Sequence, residues 1–350
     1  MKKYRVLVVD DSAFMRKMIR DMLNRDPMIE VIGTARNGQE AILKRRQLNP
    51  DVMTLDVEMP VLDGLQTLKM IMEENPCPII MLSSTTKEGA TNTMIAMEYG
   101  AVDFIAKTSG AISLDINKIA EIIVYKVKCA AKVKNLKSTI VSLPTVRKKR
   151  PILPFKKSYS QKKKIFLIGT STGGPKALKE VLTQLPAHFP WPIVIVQHMP
   201  AGFTNSLAER LNSLSEITVK EAEKGEILQN GTAYIAPGGY HIGLLQGEHN
   251  LMIDYLDEEP IKGLKPAVDL LFRSASSLLT VEKVAIIMTG MGADGTEGLL
   301  SLKSAGGCYA IAQSEESSIV FGMPKVAIKS KVIDEIVHLE EIAETMLKHI

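Results

Sequence analysis

Two sets of residues in this 350-residue chain have the types and spacing for chemistry. In the first, Asp10 and Asp11 follow one short β-branched run, Asp56 ends another, and Ser83 and Lys107 follow two more. Carboxylates gathered from separate strand ends repel one another unless a hard cation sits among them, and Mg²⁺, with oxygen ligands and retained waters, suits that arrangement. A hydroxyl and an ammonium on the same edge can hold the oxygens of a phosphoryl group on Asp56. The second set begins at Gly169-Thr-Ser171-Thr-Gly173-Gly174-Pro175, where an apolar strand runs into a helical pattern. That is the context of a nucleophile elbow. Glycine permits the tight turn, the serine is lifted onto the crest, and amides at the helix start can face an oxyanion. Pro175 suits the first helical turn. A Gly-rich nucleotide loop is the competing reading, but neither Gly-x-Gly-x-x-Gly nor the Lys of a triphosphate loop is present.

A serine nucleophile needs a base. His198 closes the apolar strand Pro-Ile-Val-Ile-Val-Gln and should emerge on the same edge as Ser171; His188, His249, His338 and His349 lie in loops, a hairpin turn or near the C-terminus. Asp294, in Gly290-Met-Gly-Ala-Asp294-Gly after a further strand, places a carboxylate there to orient an imidazole. His241 is the rival base, and Asp254 and Asp269 are rivals for the acid.

The elements that must position these groups follow an alternating pattern of short strands and amphipathic helices, the signature of parallel sheets with crossover helices. Strands are predicted at Arg5–Val9, Ile29–Thr34, Val52–Leu55, Ile79–Leu82 and Asp103–Ile105, and helices at Ala13–Leu23, Gly38–Gln47, Gly64–Met72 and Glu88–Met97. A fifth helix carries an apolar stripe from Ile116 to Ala130. A second α/β series begins at Lys164–Thr170 and includes strands Ile193–Gln197, Val284–Thr289 and Cys308–Ala312. Thr232–Ala236 and the segments near His241–Leu245 and Asn250–Asp254 read as short strands, with a hairpin expected to join the second sheet. In an open parallel sheet ligands gather outside the carboxyl ends of the strands, so each set of residues should converge at one edge.

Composition agrees with two ordinary soluble domains: 45% hydrophobic, 23% charged, and no run long enough to span a membrane. The start does not resemble a signal peptide, so a cytoplasmic protein is expected. Cys77, Cys129 and Cys308 support neither a disulfide framework nor a metal knuckle. Fourteen Lys and Arg fall between Ile122 and Lys164 with no Asp or Glu, so the rest of the chain sums to −10. A solvated basic tether containing Pro144, Pro151 and Pro154 accounts for this stretch, and no nucleic-acid partner is expected.

The segments Val-Asp-Asp-Ser-Ala-Phe-Met-Arg, Asp56-Val-Glu-Met-Pro, the Ser83 site and Phe-Ile-Ala-Lys107 resemble the response-regulator receiver family over about residues 1–125. That resemblance implies phosphotransfer from a histidine kinase to Asp56, with Mg²⁺ held by Asp11, Asp56 and the backbone of Glu58 and assisted by Asp10. It also implies that Ser83 and Lys107 read the phosphate, and that Phe104 is the aromatic that moves with the Ser. Over about residues 163–348, Ile-Gly-Thr-Ser171-Thr-Gly-Gly, Val-Gln-His198-Met-Pro, Lys-Pro-Ala-Val-Asp-Leu-Leu-Phe, Thr-Gly-Met291-Gly-Ala-Asp294-Gly and Val-Phe-Gly-Met-Pro resemble the methylesterase domain of the chemotaxis protein-glutamate methylesterases, the CheB family. It implies attack by Ser171 on a glutamyl methyl ester of a chemoreceptor, with His198 as base and Asp294 orienting it. The Met291 amide and Thr172 would serve the oxyanion, no cofactor would occupy the hydrolase site, receptor Gln would be deamidated, and the membrane would be met only through receptors.

The expected architecture is therefore α/β throughout. A five-stranded parallel, flavodoxin-like receiver (1–125) is followed by a linker of helix end and basic segment (126–163), then a doubly wound, mostly parallel methylesterase domain (164–350). A regulator whose output binds DNA would need a helix-turn-helix module after the linker, and an unregulated esterase would not need the acidic set around Asp56.

Overall fold

The computed structural model describes residues 3–107, 116–133, 163–248 and 250–350, excluding side chains of 116–119. The basic, Pro-containing tether and His249 lie outside these residues. The first domain alternates β1 (Tyr4–Val9), α1 (Ala13–Leu23), β2 (Ile29–Ala35), α2 (Gly38–Leu48), β3 (Val52–Asp56), α3 (Gly64–Glu74), β4 (Ile79–Ser84), α4 (Lys87–Glu98), β5 (Asp103–Lys107) and α5 (Ile116–Ala130). Its strands form one parallel sheet in the order β2-β1-β3-β4-β5. Val6–Val9 and Ile79–Met81 are wholly buried, as unbroken apolar runs must be when helices cover both faces. The helices start where polar side chains satisfy first-turn amides: Ser12, Asn37, Asp63 and Thr86 accept from Met15, Glu40, Gln66 and Gly89. The order reverses between β1 and β3, so Asp10, Asp11 and Asp56 share one crevice.

The second domain comprises β6 (Lys164–Thr170), α6 (Gly174–Leu182), β7 (Ile193–Gln197), α7 (Phe203–Leu214), β8 (Thr218–Glu221), β9 (Thr232–Ile235), β10 (His241–Gln246), β11 (Leu251–Leu256), α8 (Val268–Ser276), β12 (Glu282–Ile287), α9 (Thr296–Ala305), β13 (Cys308–Gln313), α10 (Met323–Lys329), β14 (Glu335–Val337) and α11 (Ile342–Lys348). Seven strands form a parallel sheet ordered β14-β13-β12-β6-β7-β9-β8. Here α6, α7 and α9 begin on Gly173, Gly202 and Gly295 with no side-chain cap. The N-cap residue itself thus supplies no side chain to their first-turn amides at the edge where the chemistry is expected.

The hairpin expected to join this sheet does not. β10 and β11 form a separate two-stranded antiparallel sheet, in which β10 packs on α8 and β11 is bridged through Met252 to Ile227. The Leu244 amide donates to Ser274 Oγ at 2.6 Å and the Leu244 carbonyl accepts from the same hydroxyl at 3.2 Å, so a helix side chain meets backbone groups that a sheet neighbour would otherwise take. Strand β12 also ends at Ile287, two residues before the expected Thr289. No helix among the described residues is long and apolar enough to cross a membrane.

The two domains touch through α4, which lies against α6 and α7. Phe104 of β5 stacks on Phe203 of α7, ring centroids 4.6 Å apart, a contact typically worth about 0.5–1.5 kcal/mol beyond the area it buries. Glu98, ending α4, receives Arg210 Nε at 2.7 Å and Nη2 at 3.0 Å, with Lys179 Nζ at 3.2 Å.

Candidate active site

Strand β6 lies between β7 and β12, so the residues that follow these three strands meet at one crest. Thr170 pairs with Gln197, and the next residues are Ser171 and His198. His198 is anchored by its amide to the Thr170 carbonyl at 3.2 Å, and Ser171 by its amide to the Thr289 carbonyl at 3.0 Å. Asp294 reaches over from beyond β12, and its Oδ2 lies 2.7 Å from His198 Nε2. Both carboxylate oxygens are saturated: Oδ2 also accepts from the Val268 amide at 2.6 Å, and Oδ1 from the Asp269 and Gly295 amides at 3.0 Å each. Two of these donors open α8, where the helix dipole favours an anion. Burial pushes the Asp294 carboxyl up, but His198 and the amides of Val268 and Asp269 outweigh it and hold the group at about 2.

An ionised Asp294 has no proton to give, so His198 Nε2 must donate and Nδ1 is left as the basic nitrogen. The usual triad has the acid on Nδ1 and the base at Nε2; here the carboxylate meets Nε2 instead. The rivals fall elsewhere. His241 is wholly buried, its Nδ1 accepting from the Ala267 amide at 3.1 Å and its Nε2 facing the Glu259 carbonyl at 3.2 Å. Asp269 accepts from the Gly298 amide at 2.8 Å, and burial, reinforced by the Asp294 charge against that amide's opposition, raises its carboxyl to about 6. Asp254 stands 3.7 Å from Lys224.

The elbow is held from beneath by a residue without an assigned role in the sequence. Gln197 is 2% exposed, and its Nε2 donates to the Ser171 carbonyl at 3.0 Å and the His198 carbonyl at 3.2 Å, bridging the two candidate residues. Gly174 is required above it, because a Cβ there would fall 1.8 Å from Gln197 Oε1. Gly290 is also pressed close, a Cβ meeting Ser171 Cβ at 2.8 Å and Met323 Sδ at 2.4 Å. The Met291 amide, next in the chain, donates to no backbone carbonyl among the described residues. Thr172 differs from expectation: its hydroxyl donates to Asp103 Oδ2 of the first domain at 2.5 Å. Asp103 Oδ1 in turn accepts from Lys126 Nζ at 2.6 Å and the Phe104 amide at 2.7 Å. A lone aspartate opening a strand gave no signal for this contact.

In the first domain Asp10, Asp11 and Asp56 bring carboxylate oxygens within 4.8 Å of one another. Asp10 Oδ2 is buried without an aligned hydrogen bond and meets Lys107 Nζ as an ion pair at 2.9 Å; Asp56 Oδ2 meets the same nitrogen at 2.7 Å. Burial raises Asp56 to about 6 although Lys107 opposes it, and the three carboxylates are met by the Lys107 ammonium alone among the ion pairs of the described residues. This oxygen-only, electron-rich donor set fits Mg²⁺. The Glu58 amide points to Asp56 Oδ1 at 3.3 Å, while its carboxylate accepts from Ser84 at 2.8 Å. Ser83 is turned from Asp56: its hydroxyl donates to the Gly89 carbonyl in the first turn of α4 at 2.9 Å.

Residues 166–346 match the family model for CheB methylesterase and residues 6–116 that for the response regulator receiver domain. A protein-glutamate methylesterase/protein-glutamine glutaminase of Halalkalibacterium halodurans is 60% identical over 347 residues, covering 99% of this chain and 98% of the relative. The one of Bacillus subtilis is 51% identical over 347 residues, covering 98% of this chain and 97% of the relative. The crystal structure of the Thermotoga maritima CheB methylesterase catalytic domain superposes with a TM-score of 0.52 at 43% identity, covering 54% of this chain and 99% of that one. With an elbow, a histidine–carboxylate pair and an acidic receiver crevice in one polypeptide, the chain belongs to the CheB methylesterase family.

Proposed function

We propose that this protein hydrolyses glutamyl methyl esters on chemoreceptors, and deamidates receptor glutamines by the same acyl chemistry, under the control of phosphorylation at Asp56. The observation that carries the reading is the His198 Nε2 to Asp294 contact beside Ser171, with the Asp294 carboxyl held ionised. Ser171 Oγ attacks the ester carbonyl as its proton passes to His198 Nδ1. The oxyanion is held by the Met291 amide with help from the Thr172 hydroxyl, a type of donor worth about 10²–10³ in rate. The tetrahedral intermediate collapses, His198 returns the proton to the leaving methoxide, and methanol departs. Water then attacks the acyl-enzyme with His198 again as base, leaving glutamate and free Ser171. With glutamine, ammonia leaves in place of methanol.

The receiver, residues 1–125, takes a phosphoryl group from a chemotaxis histidine kinase onto Asp56, joined through 126–163 to the catalytic domain, 164–350. Mg²⁺, when bound by Asp11, Asp56 and the Glu58 backbone with Asp10 behind them, supplies positive charge for the phosphoryl oxygens. Lys107 pairs with the phosphate, and the Ser83 hydroxyl turns to it, releasing the Gly89 carbonyl and loosening α4. Phe104 then leaves Phe203, and Asp103 releases Thr172. A tenfold rise in activity needs only about 1.4 kcal/mol of differential stability between closed and open states. The test is methanol release from methylated chemoreceptor membranes with and without a small-molecule phosphodonor. Ser171→Ala should abolish release and Asp56→Asn the response to phosphodonor; wild-type behaviour in either variant would refute that assignment.

A further inference from the structure

The receiver meets two cations on the face it covers of an otherwise acidic catalytic domain. Residues 165–350 contain 14 Lys and Arg against 22 Asp and Glu. Yet Lys179 of α6 and Arg210 of α7 converge on one carboxylate, Glu98, and Arg210 grips it through two nitrogens. Side chains of Arg210 and Lys179 stay 41% and 39% exposed, so neither needs this partner to be solvated. A second carboxylate, Asp103, takes the hydroxyl of Thr172 beside the nucleophile. The receiver therefore covers this edge with a helix, α4, and two carboxylates, one at the elbow and one further along α6 and α7.

We propose that the α6–α7 face is the docking surface for an acidic helical segment of the substrate receptor, and that α4 with Asp103 imitates that segment in the closed state. The inference rests on the methylesterase activity proposed above. A methyl ester is neutral and offers little for recognition, so selectivity must come from its neighbours. Free carboxylates, which the reaction itself generates, are the groups that the planar fork of Arg210 and the ammonium of Lys179 bind best. Because α4 packs on both helices, the face has already the shape to receive a helix. It cannot hold α4 and the substrate together, so receiver and receptor compete for the same cations.

The experiment uses the full chain, methylated receptor membranes and saturating acetyl phosphate. Arg210→Glu should raise the KM for receptor about threefold to tenfold, with Lys179→Glu acting in the same direction. Added salt should raise the wild-type KM and narrow the gap. p-Nitrophenyl acetate, which has no carboxylate for Arg210, should show no comparable rise. Glu98→Arg added to Arg210→Glu should restore repression without phosphodonor but not the receptor KM. If Arg210→Glu releases activity without phosphodonor while the receptor KM under phosphodonor stays at the wild-type value, the cations are only a latch. The inference is then overturned and the proposed function stands. If the wild type releases no methanol from receptor, the proposed function falls and the inference with it.

Discussion

At the scale of the residue, the site turns on which nitrogen of His198 carries the proton. Asp294, held ionised near 2, fixes the hydrogen on Nε2. Nitrogen NMR of the resting enzyme should therefore find protonated Nε2 and bare Nδ1. Asp294→Asn removes that bias, and kcat should fall about 10⁴-fold at nearly unchanged KM, as expected when the wrong tautomer prevails. The two buried carboxylates behind the imidazole also set opposite pH dependences. Asp294 titrates below its ordinary 3.8, so its stabilisation is complete above about pH 4 and is lost as pH falls through about 2. Asp269 titrates above 3.8, at about 6, so it favours the fold below pH 4 and ceases to as pH rises through 6. Urea unfolding between pH 5 and pH 2 should lose about 2 kcal/mol more in the wild type than in Asp294→Asn.

At the scale of the element, the strand ends explain why so much was legible in advance. Ser171 and His198 fall one residue after a paired register position on adjacent parallel strands, and Asp10, Asp11 and Asp56 flank a reversal of strand order, so alternation in the sequence was enough to bring them together. Strand β14 has only 3 residues, and β8, though as long as β9, is mostly only partly buried and so lacks the apolar run that marks β9. The hairpin was legible but its placement was not, because Ser274, thirty residues away, decides it. Gln197 was silent for a similar reason: a polar residue in an apolar strand declares its role only when its amide meets the Ser171 and His198 carbonyls. Gly174→Ala drives a Cβ into that amide and should lower kcat more than tenfold while costing about 1–3 kcal/mol of stability. Gly247→Ala, whose Cβ meets only the Asn250 carbonyl among the described residues, at 3.6 Å, should change neither. Matched thermal melts and turnover assays separate the two.

At the scale of the whole molecule, the proposed mechanism has regulation and catalysis share one contact. Asp103 takes the hydroxyl of Thr172, and on the proposed mechanism this brings a carboxylate near the place where negative charge must develop, so that the closed receiver would oppose the transition state as well as access to it. Asp103→Asn weakens a charge-assisted bond, and methanol release without phosphodonor should rise about tenfold, with a smaller further gain on phosphorylation. None of these inter-domain partners was legible, since Glu98, Asp103, Phe203 and Arg210 are single residues whose meeting depends on how two separately encoded sheets dock. The most direct measurement is the rate at which a fluorophosphonate labels the intact protein, with the labelled residue identified by mass spectrometry. Labelling is predicted at Ser171, accelerated by acetyl phosphate in the wild type and indifferent to it in Asp56→Asn. A label on any other residue, or a Ser171 rate that acetyl phosphate leaves unchanged in the wild type, would contradict a serine esterase governed by its receiver.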